Sequence, residues 1–287
     1  MTAFLEISIS AVTFLVMWVV GLELQLANLR SLSKQSLAVI SGTLAQIICL
    51  PALTLLMIAV SHPPTEIAAG MLLVSLCPGG AVSNFYTLLA KGDIAYSVSL
   101  TIISTLSSLL SLPLLFNLFS PAFIAAPNPI ILPVGQTVEQ LFYLLITPLA
   151  LGMLCNFFWP GLTHRCLRLL KISAAVCLLS LVALIFLSKG PALTQFISDV
   201  FTTSLIFTLS ALGLGLLAGK LLNLRREQII AIAIEFPSRN LAIATAIGLN
   251  LLQQSNAVLF AAAMFVLQLP VFICVILATW GINKRPE

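Results

Sequence analysis

A chain of 287 residues with 60% hydrophobic and only 8% charged side chains, at a mean hydropathy of +1.14, is not a soluble domain, in which about a quarter of the residues are charged. The formal net charge of +4 is no nucleic-acid footprint, because the basic residues sit in short loops and not on one face. Apolar runs of about 20 residues recur along the chain, long enough to cross a hydrocarbon core as helices. The fold class is therefore an all-α polytopic membrane protein, with the lipid bilayer as its surroundings.

In chain order the expected crossings are Ile7–Leu26, Gln35–Val60, Ile67–Ala90, Ile94–Phe119, Thr137–Phe158, Ile172–Leu187, Phe201–Leu222, Gln228–Asn250 and Ser255–Ile282. The first carries Glu6 and lacks both a basic leader and a small-residue cleavage site, so it reads as a retained helix and not as a signal peptide. Alternate loops differ in charge. Arg30 and Lys34, Lys91, the group Arg165, Arg168 and Lys171, the pair Arg225 and Arg226, and the pair Lys284 and Arg285 fall on one side, and Lys189 is the only base on the other. The positive-inside rule then places the N-terminus outside and the C-terminus in the cytoplasm of a cell membrane. The six cysteines form no C-x-x-C pair and mostly lie in apolar runs, so they read as inert buried thiols. No small-x-x-x-small face marks a dimer interface, and no obligatory protein partner is evident.

Two of the nine crossings are interrupted. The third contains CPGGAVSN (Cys77–Asn84) and the eighth contains IEFPSRN (Ile234–Asn240). Proline removes a backbone donor and glycine loosens the helix, and unwound backbone at membrane depth survives only where it lines a cavity or holds ions. In the expected topology the two breaks run in opposite directions. Paired Gly/Pro interruptions in corresponding positions of inverted repeats are the mark of a carrier's binding site. Two unrelated proline kinks in packed helices are the plainer alternative.

Polar groups concentrate at these breaks. Ser83 and Asn84 precede the turn at Lys91–Asp93, and Ser97 and Thr101 follow it four residues apart on one helix face. With Glu235 they supply one carboxylate, one amide oxygen and three hydroxyls, an all-oxygen set suited to a hard cation such as Na⁺ and poor for zinc or copper. For a single hydroxyl, a bond to the carbonyl one turn earlier is the simpler reading. For five groups around a membrane carboxylate, a cation site is the better one. The half-helix N-termini near Asn84 and Asn240 present amides to an anion. Gln268, alone in the apolar final helix, either faces that cavity or bonds another helix. No metal cluster, nucleophile–base pair or phosphate loop points to an enzyme.

The stretch CPGGAVSNFYTLLAKGDIAYSVSLT resembles the signature of the bile acid:sodium symporter family, and GTLAQIICLP (Gly42–Pro51) and the Glu-x-x-x-x-Asn of EFPSRN resemble two further landmarks of that family. The resemblance covers essentially the whole chain, in its nine-helix form. It implies a core (residues 35–119 and 201–282), a panel (7–26 and 137–187), crossing breaks at the core's centre and alternating access. It also implies one sodium site at Ser83, Asn84, Ser97, Thr101 and Glu235. A second site would use Gln46, the Glu235 carboxylate, backbone carbonyls near Phe236 and Ser238, and a glutamine where this chain has Arg239.

Arg239 is the departure. Arginine is permanently charged, only donates, and cannot ligate a cation. Three roles compete for it: a tethered cation paired with Glu235 in place of the second Na⁺, a clamp on a substrate carboxylate, and a structural ion pair. In the first role, repulsion of several kcal/mol at an effective dielectric near 20 excludes a second Na⁺, which leaves one coupling ion. Ala81 is a second departure, since relatives often place a substrate-reaching threonine there. The expected function is Na⁺-coupled uptake of a small organic anion that is bile-acid-like, pantoate-like or a keto acid. The alternatives are a Na⁺-independent or proton-coupled carrier and, further off, a channel or membrane sensor.

Overall fold

The computed structural model describes residues 2–24, 35–80, 82–124, 130–188, 193–252 and 256–282. Ala81, Arg30, Lys34, Lys189, Lys284 and Arg285 lie outside the described residues. Described residues outside the loops are helical: α1 (Thr2–Glu23), α2 (Ser36–Ser61), α3 (Thr65–Leu76), α4 (Val82–Leu89) and α5 (Ile94–Phe123). α6 (Val134–Leu141) runs through a π-helical turn (Phe142–Ile146) into α7 (Thr147–Phe158), followed by α8 (Pro160–Ser188) and α9 (Leu193–Leu221). α10 (Arg226–Glu235), α11 (Leu241–Asn250) and α12 (Ala257–Ile282) complete the chain. Six helical spans are long and apolar enough to cross a membrane, and the shorter apolar helices are Ile7–Glu23, Thr65–Leu76 and Leu241–Asn250.

The helices are patterned for a hydrocarbon solvent, with apolar side chains outside and polar ones inside. α2 exposes Leu37, Ile40, Leu44 and Ile48 and buries Thr43, Gln46 and Thr54. α5 exposes Leu106, Leu110, Leu114 and Leu118, four residues apart, and buries Ser97, Thr101, Ser104, Thr105 and Ser108. Lipid tails are as apolar as leucine, so exposing leucine costs nothing there, and close packing with interhelical hydrogen bonds holds the helices together. α1 and α7 touch backbone to backbone at Gly21 and Gly152: a Cβ on Gly21 would strike the Leu149 carbonyl, and one on Gly152 the Trp18 carbonyl.

Two helix starts differ from the sequence expectation by more than two turns. α8 starts at Pro160 and not at Ile172, so Arg165, Arg168 and Lys171 ride on its first turns and are not loop residues. Proline suits a first helical position, the Leu, Arg and Lys that follow are strong helix formers, and Lys171 pairs with Glu23 of α1. α9 likewise begins eight residues before Phe201, at Leu193.

The expected breaks are present, and they meet. α3 stops at Leu76 and α4 resumes at Val82, while α10 stops at Glu235 and α11 resumes at Leu241. Gly79 lies opposite Arg239 in a single antiparallel bridge. The Gly80 N–H donates to the Ser238 carbonyl (2.8 Å) and the Asn240 N–H to the Pro78 carbonyl (3.0 Å). Each unwound segment thus satisfies part of the other's backbone, which a membrane interior demands. Asn240 caps α11, its side chain accepting from the Ile243 N–H at 3.2 Å. At the end of the bundle bearing Lys91–Asp93, the Asp93 N–H donates to the Glu227 carbonyl (2.9 Å) and Arg225 pairs with Asp93 (3.0 Å). These bonds join the two halves of the chain.

Candidate ion and substrate site

Glu235, the last residue of α10, is wholly buried where the breaks cross. Its Oε1 accepts from the Thr101 hydroxyl (2.8 Å) and its Oε2 from the Ser97 hydroxyl (3.3 Å). The same Ser97 hydroxyl donates to Asn84 Oδ1 (2.9 Å) and accepts from Thr87 (3.4 Å). Thr101 also donates to the Ser97 carbonyl (3.1 Å), the back-bond expected of a helical threonine. The structure therefore brings Asn84, Ser97, Thr101 and Glu235 together. Ser83, fully buried one position earlier, gives its proton to the Gly80 carbonyl (2.8 Å) and keeps its lone pairs.

This cluster has more lone pairs than hydrogens. Ser97 has one proton for two acceptors and Thr101 one for two, while a carboxylate and an amide oxygen have none to give. A Na⁺ among them would meet lone pairs of both hydroxyls, with Thr101 free to donate to the Ser97 carbonyl. The carboxylate has room because residue 79 is glycine: a Cβ there would run into Glu235 Oε1. The Gly79 N–H is held by Ser104 Oγ (3.1 Å).

On the other side of the bridge, Arg239 is 6% exposed, and its guanidinium is enclosed by oxygens. Nε donates to the Phe236 carbonyl (2.9 Å) and Nη1 to the Cys77 carbonyl (3.2 Å). Nη2 donates to Gln46 Oε1 (2.9 Å) and the Glu235 carbonyl (3.2 Å). The expected pairing of Arg239 with the Glu235 carboxylate is not what the structure shows: among the described residues the ion pairs are Lys171–Glu23 and Arg225–Asp93. Arginine reaches the Glu235 backbone and not its acid group, because the break turns the freed carbonyls toward it. Ser238, also expected at this site, spends its hydroxyl on the Ile234 carbonyl (2.7 Å) and its own carbonyl on Gly80. Gln268 donates to the Pro237 carbonyl at 2.7 Å, an interhelical bond of the kind expected as one of its two alternatives. That bond satisfies a group the break leaves open.

Asn84 and Asn240 line a narrow space of about 10 Å³ between the crossing and α1/α7, with Met17, Val20, Leu149 and Thr105. Such a volume holds a single water. Among the described residues the Asn240 amide donates only to Met17 Sδ (3.3 Å), a weak acceptor. α11 is closed over by α1 and α6: Thr13 donates to the Ala242 carbonyl (3.2 Å), Asn250 to Ser10 (3.4 Å) and Gln140 to the Ala246 carbonyl (3.3 Å). α4 instead leaves Val82, Phe85 and Leu88 exposed.

Sequence reasoning missed Thr87, Ser104, Thr105 and the Cys77 carbonyl. Ser104 and Thr105 were within reach of it, lying three and four residues beyond Thr101 on the same face. The Cys77 carbonyl was not, since every residue type supplies one.

A match to the sodium bile acid symporter family model spans residues 11–196, which takes in the first break and the α5 hydroxyls. The chain belongs to the sodium bile acid symporter family. It is 30% identical over 237 residues to YocS, an uncharacterized sodium-dependent transporter of Bacillus subtilis (strain 168), covering 82% of this chain and 71% of that protein. It is 28% identical over 248 residues to sodium/bile acid cotransporter 4 of Rattus norvegicus (85% of this chain, 56% of the relative). It is 30% identical over 218 residues to the sodium-dependent organic anion transporter of Homo sapiens (75% and 55%). The chain thus spans little more than half the length of these mammalian relatives. Family and relatives are transporters and not enzymes, and the chain is a multi-pass membrane protein.

Proposed function

We propose that this chain is a secondary carrier that takes up a small organic anion together with one Na⁺. The observation that carries the reading is the hydrogen-poor oxygen cluster of Asn84, Ser97, Thr101 and Glu235, with Ser83 beside it. The names of its relatives, a sodium-dependent transporter and a sodium-dependent organic anion transporter, agree with it. Na⁺ enters the cluster, and the anion binds next to it against the Asn84 and Asn240 amides and the α11 N-terminus, in the space facing α1 and α7. Helices α2–α5 and α9–α12 form the core, and α1 and α6–α8 the panel against which it rocks. The N-terminus faces outward and the C-terminus the cytoplasm. The seam over α11 is then the closed outer side, and the exposed face of α4 looks toward the cytoplasm.

In this reading Arg239 is the second cation, built into the chain. Gln46 and the Phe236 carbonyl, two of the oxygens expected around a second Na⁺, hold its guanidinium together with the Glu235 and Cys77 carbonyls. Its donors turn toward the core and away from the substrate space, which favours this role over a clamp. Vesicle uptake of radiolabelled pyruvate, pantoate and taurocholate with external Na⁺, external K⁺ or an imposed pH gradient tests the proposal. Uptake that needs Na⁺, with a Hill coefficient near 1, is expected, and uptake indifferent to Na⁺ would overturn it.

A further inference from the structure

We infer that the carrier runs an electroneutral cycle, moving one Na⁺ with one singly charged anion and selecting against doubly charged ones; this rests on the one-sodium reading above. Glu235 and Arg239 are the only buried charged side chains among the described residues. Arginine stays protonated, and each Glu235 oxygen faces a hydroxyl able to donate to it, as suits the ionised acid. Their charges cancel, so the crossing is neutral before any ion binds.

Both charges also move together. Glu235 ends α10, and the guanidinium is tied to α2 through Gln46, to the end of α3 through Cys77 and to the α10 terminus through the Glu235 and Phe236 carbonyls. All of these belong to the proposed core. The core returning empty therefore carries no net charge across the membrane field. Loaded with one Na⁺ and one monoanion it carries none either. A neutral glutamine at position 239 would change the sum: the empty core would hold −1, two Na⁺ would bind, and each cycle would move one net positive charge inward.

The substrate space points to the same charge class. Its lining residues Asn84, Asn240, Thr101 and Thr105 are neutral, and no charged side chain lines it among the described residues. A single bound Na⁺ can balance one negative charge there but not two. A dicarboxylate would make the loaded core negative, and an inside-negative potential would oppose its entry. Monocarboxylates and monosulfonates are the class that fits.

The test uses the full chain in proteoliposomes under a fixed inward Na⁺ gradient, with the potential set by K⁺ and valinomycin at 0 or about −118 mV. Uptake of ²²Na⁺ is measured alongside pyruvate, pantoate or taurocholate as monoanions and succinate as the dianion. The expected result is equal monoanion accumulation at both potentials within twofold, one Na⁺ per anion, and succinate uptake lower by at least tenfold. Each net charge moved is worth tenfold in accumulation per 59 mV, so a monoanion signal rising toward about a hundredfold would overturn the electroneutral cycle. It would leave the Na⁺-driven carrier standing. If no probe enters with Na⁺, the carrier reading fails and this inference fails with it. Arg239→Gln is expected to gain voltage dependence and Arg239→Lys, which keeps the charge, to gain none. Voltage-dependent uptake by the lysine variant would also count against the inference, whether or not the glutamine variant folds.

Discussion

Two oxygen cages flank Glu235, and they are filled differently. The side-chain cage of Asn84, Ser97, Thr101 and the Glu235 carboxylate has two hydroxyl hydrogens shared among its acceptors. The backbone cage of Gln46, Cys77, Glu235 and Phe236 holds a guanidinium. The first is left in want of a cation and the second has one attached to the chain. A bound ion can leave and be moved, whereas a tethered one only balances charge. Under the proposed function one site exchanges its cation while its neighbour's stays fixed, through one residue type at position 239.

The largest expected effect comes from removing the charge both cages share. Glu235→Gln takes the anion from the Na⁺ site and leaves Arg239 buried without a counter-charge, which typically costs about 3–5 kcal/mol. Na⁺-driven vesicle uptake is expected to fall to background, with a lowered melting temperature that NaCl no longer raises. Retention of half the uptake would mean that the side-chain cage is not the ion site.

Arg239→Gln attacks the other cage and is expected to make the two alike. Without Na⁺ the variant has a lone buried carboxylate and loses stability by a similar amount, about 3–5 kcal/mol. Added Na⁺ restores it by mass action. Its Na⁺ activation curve steepens, with the Hill coefficient moving from near 1 toward 2. An unchanged curve with collapsed substrate affinity would assign Arg239 to the substrate.

The two cages were unequally legible in the sequence. Glu235, Ser97 and Thr101 carry their chemistry in their side chains, and the i,i+4 spacing alone places two of them on one face. The two breaks were equally plain, since Pro78-Gly79-Gly80 and Pro237 interrupt otherwise apolar runs. The Arg239 cage was only half visible. Residue type shows that arginine cannot ligate, but the direction of the guanidinium depends on which carbonyls the break frees. An ion pair with the nearby acid was the natural expectation, and the backbone carbonyls displaced it. The early start of α8 was hidden for a related reason: its bases look like a loop by charge but form a helix by propensity.

Between the cages stands Gly79, and Gly79→Ala sharpens the comparison by touching only one of them. The added methyl collides with Glu235 Oε1, so the carboxylate must rotate away from Thr101. The Arg239 donors bond the Glu235 carbonyl and not its side chain, so the backbone cage should stay intact. Half-saturating Na⁺ is expected to rise at least tenfold, about 1.4 kcal/mol, with the Hill coefficient still near 1. A coefficient approaching 2 would show that the cages are not separable.

The smallest expected effect on transport comes from Gln46→Leu, the reciprocal change. Gln46 is 1% exposed, its Oε1 accepts from Arg239 Nη2, and its Nε2 has no partner among the described residues. Leucine fills similar volume and removes one acceptor from the guanidinium while the three backbone carbonyls remain. An unmade bond to a buried charged donor costs about 1–3 kcal/mol, offset in part because the unpartnered amide is removed as well. Thermal unfolding in detergent is expected to shift down by a few degrees. The Na⁺ half-saturation should change less than twofold, because the residue does not touch the side-chain cage. If Gln46 instead held a mobile second Na⁺, the same substitution would leave stability nearly unchanged and flatten the Na⁺ curve. One pair of measurements thus separates a tethered cation from a transported one.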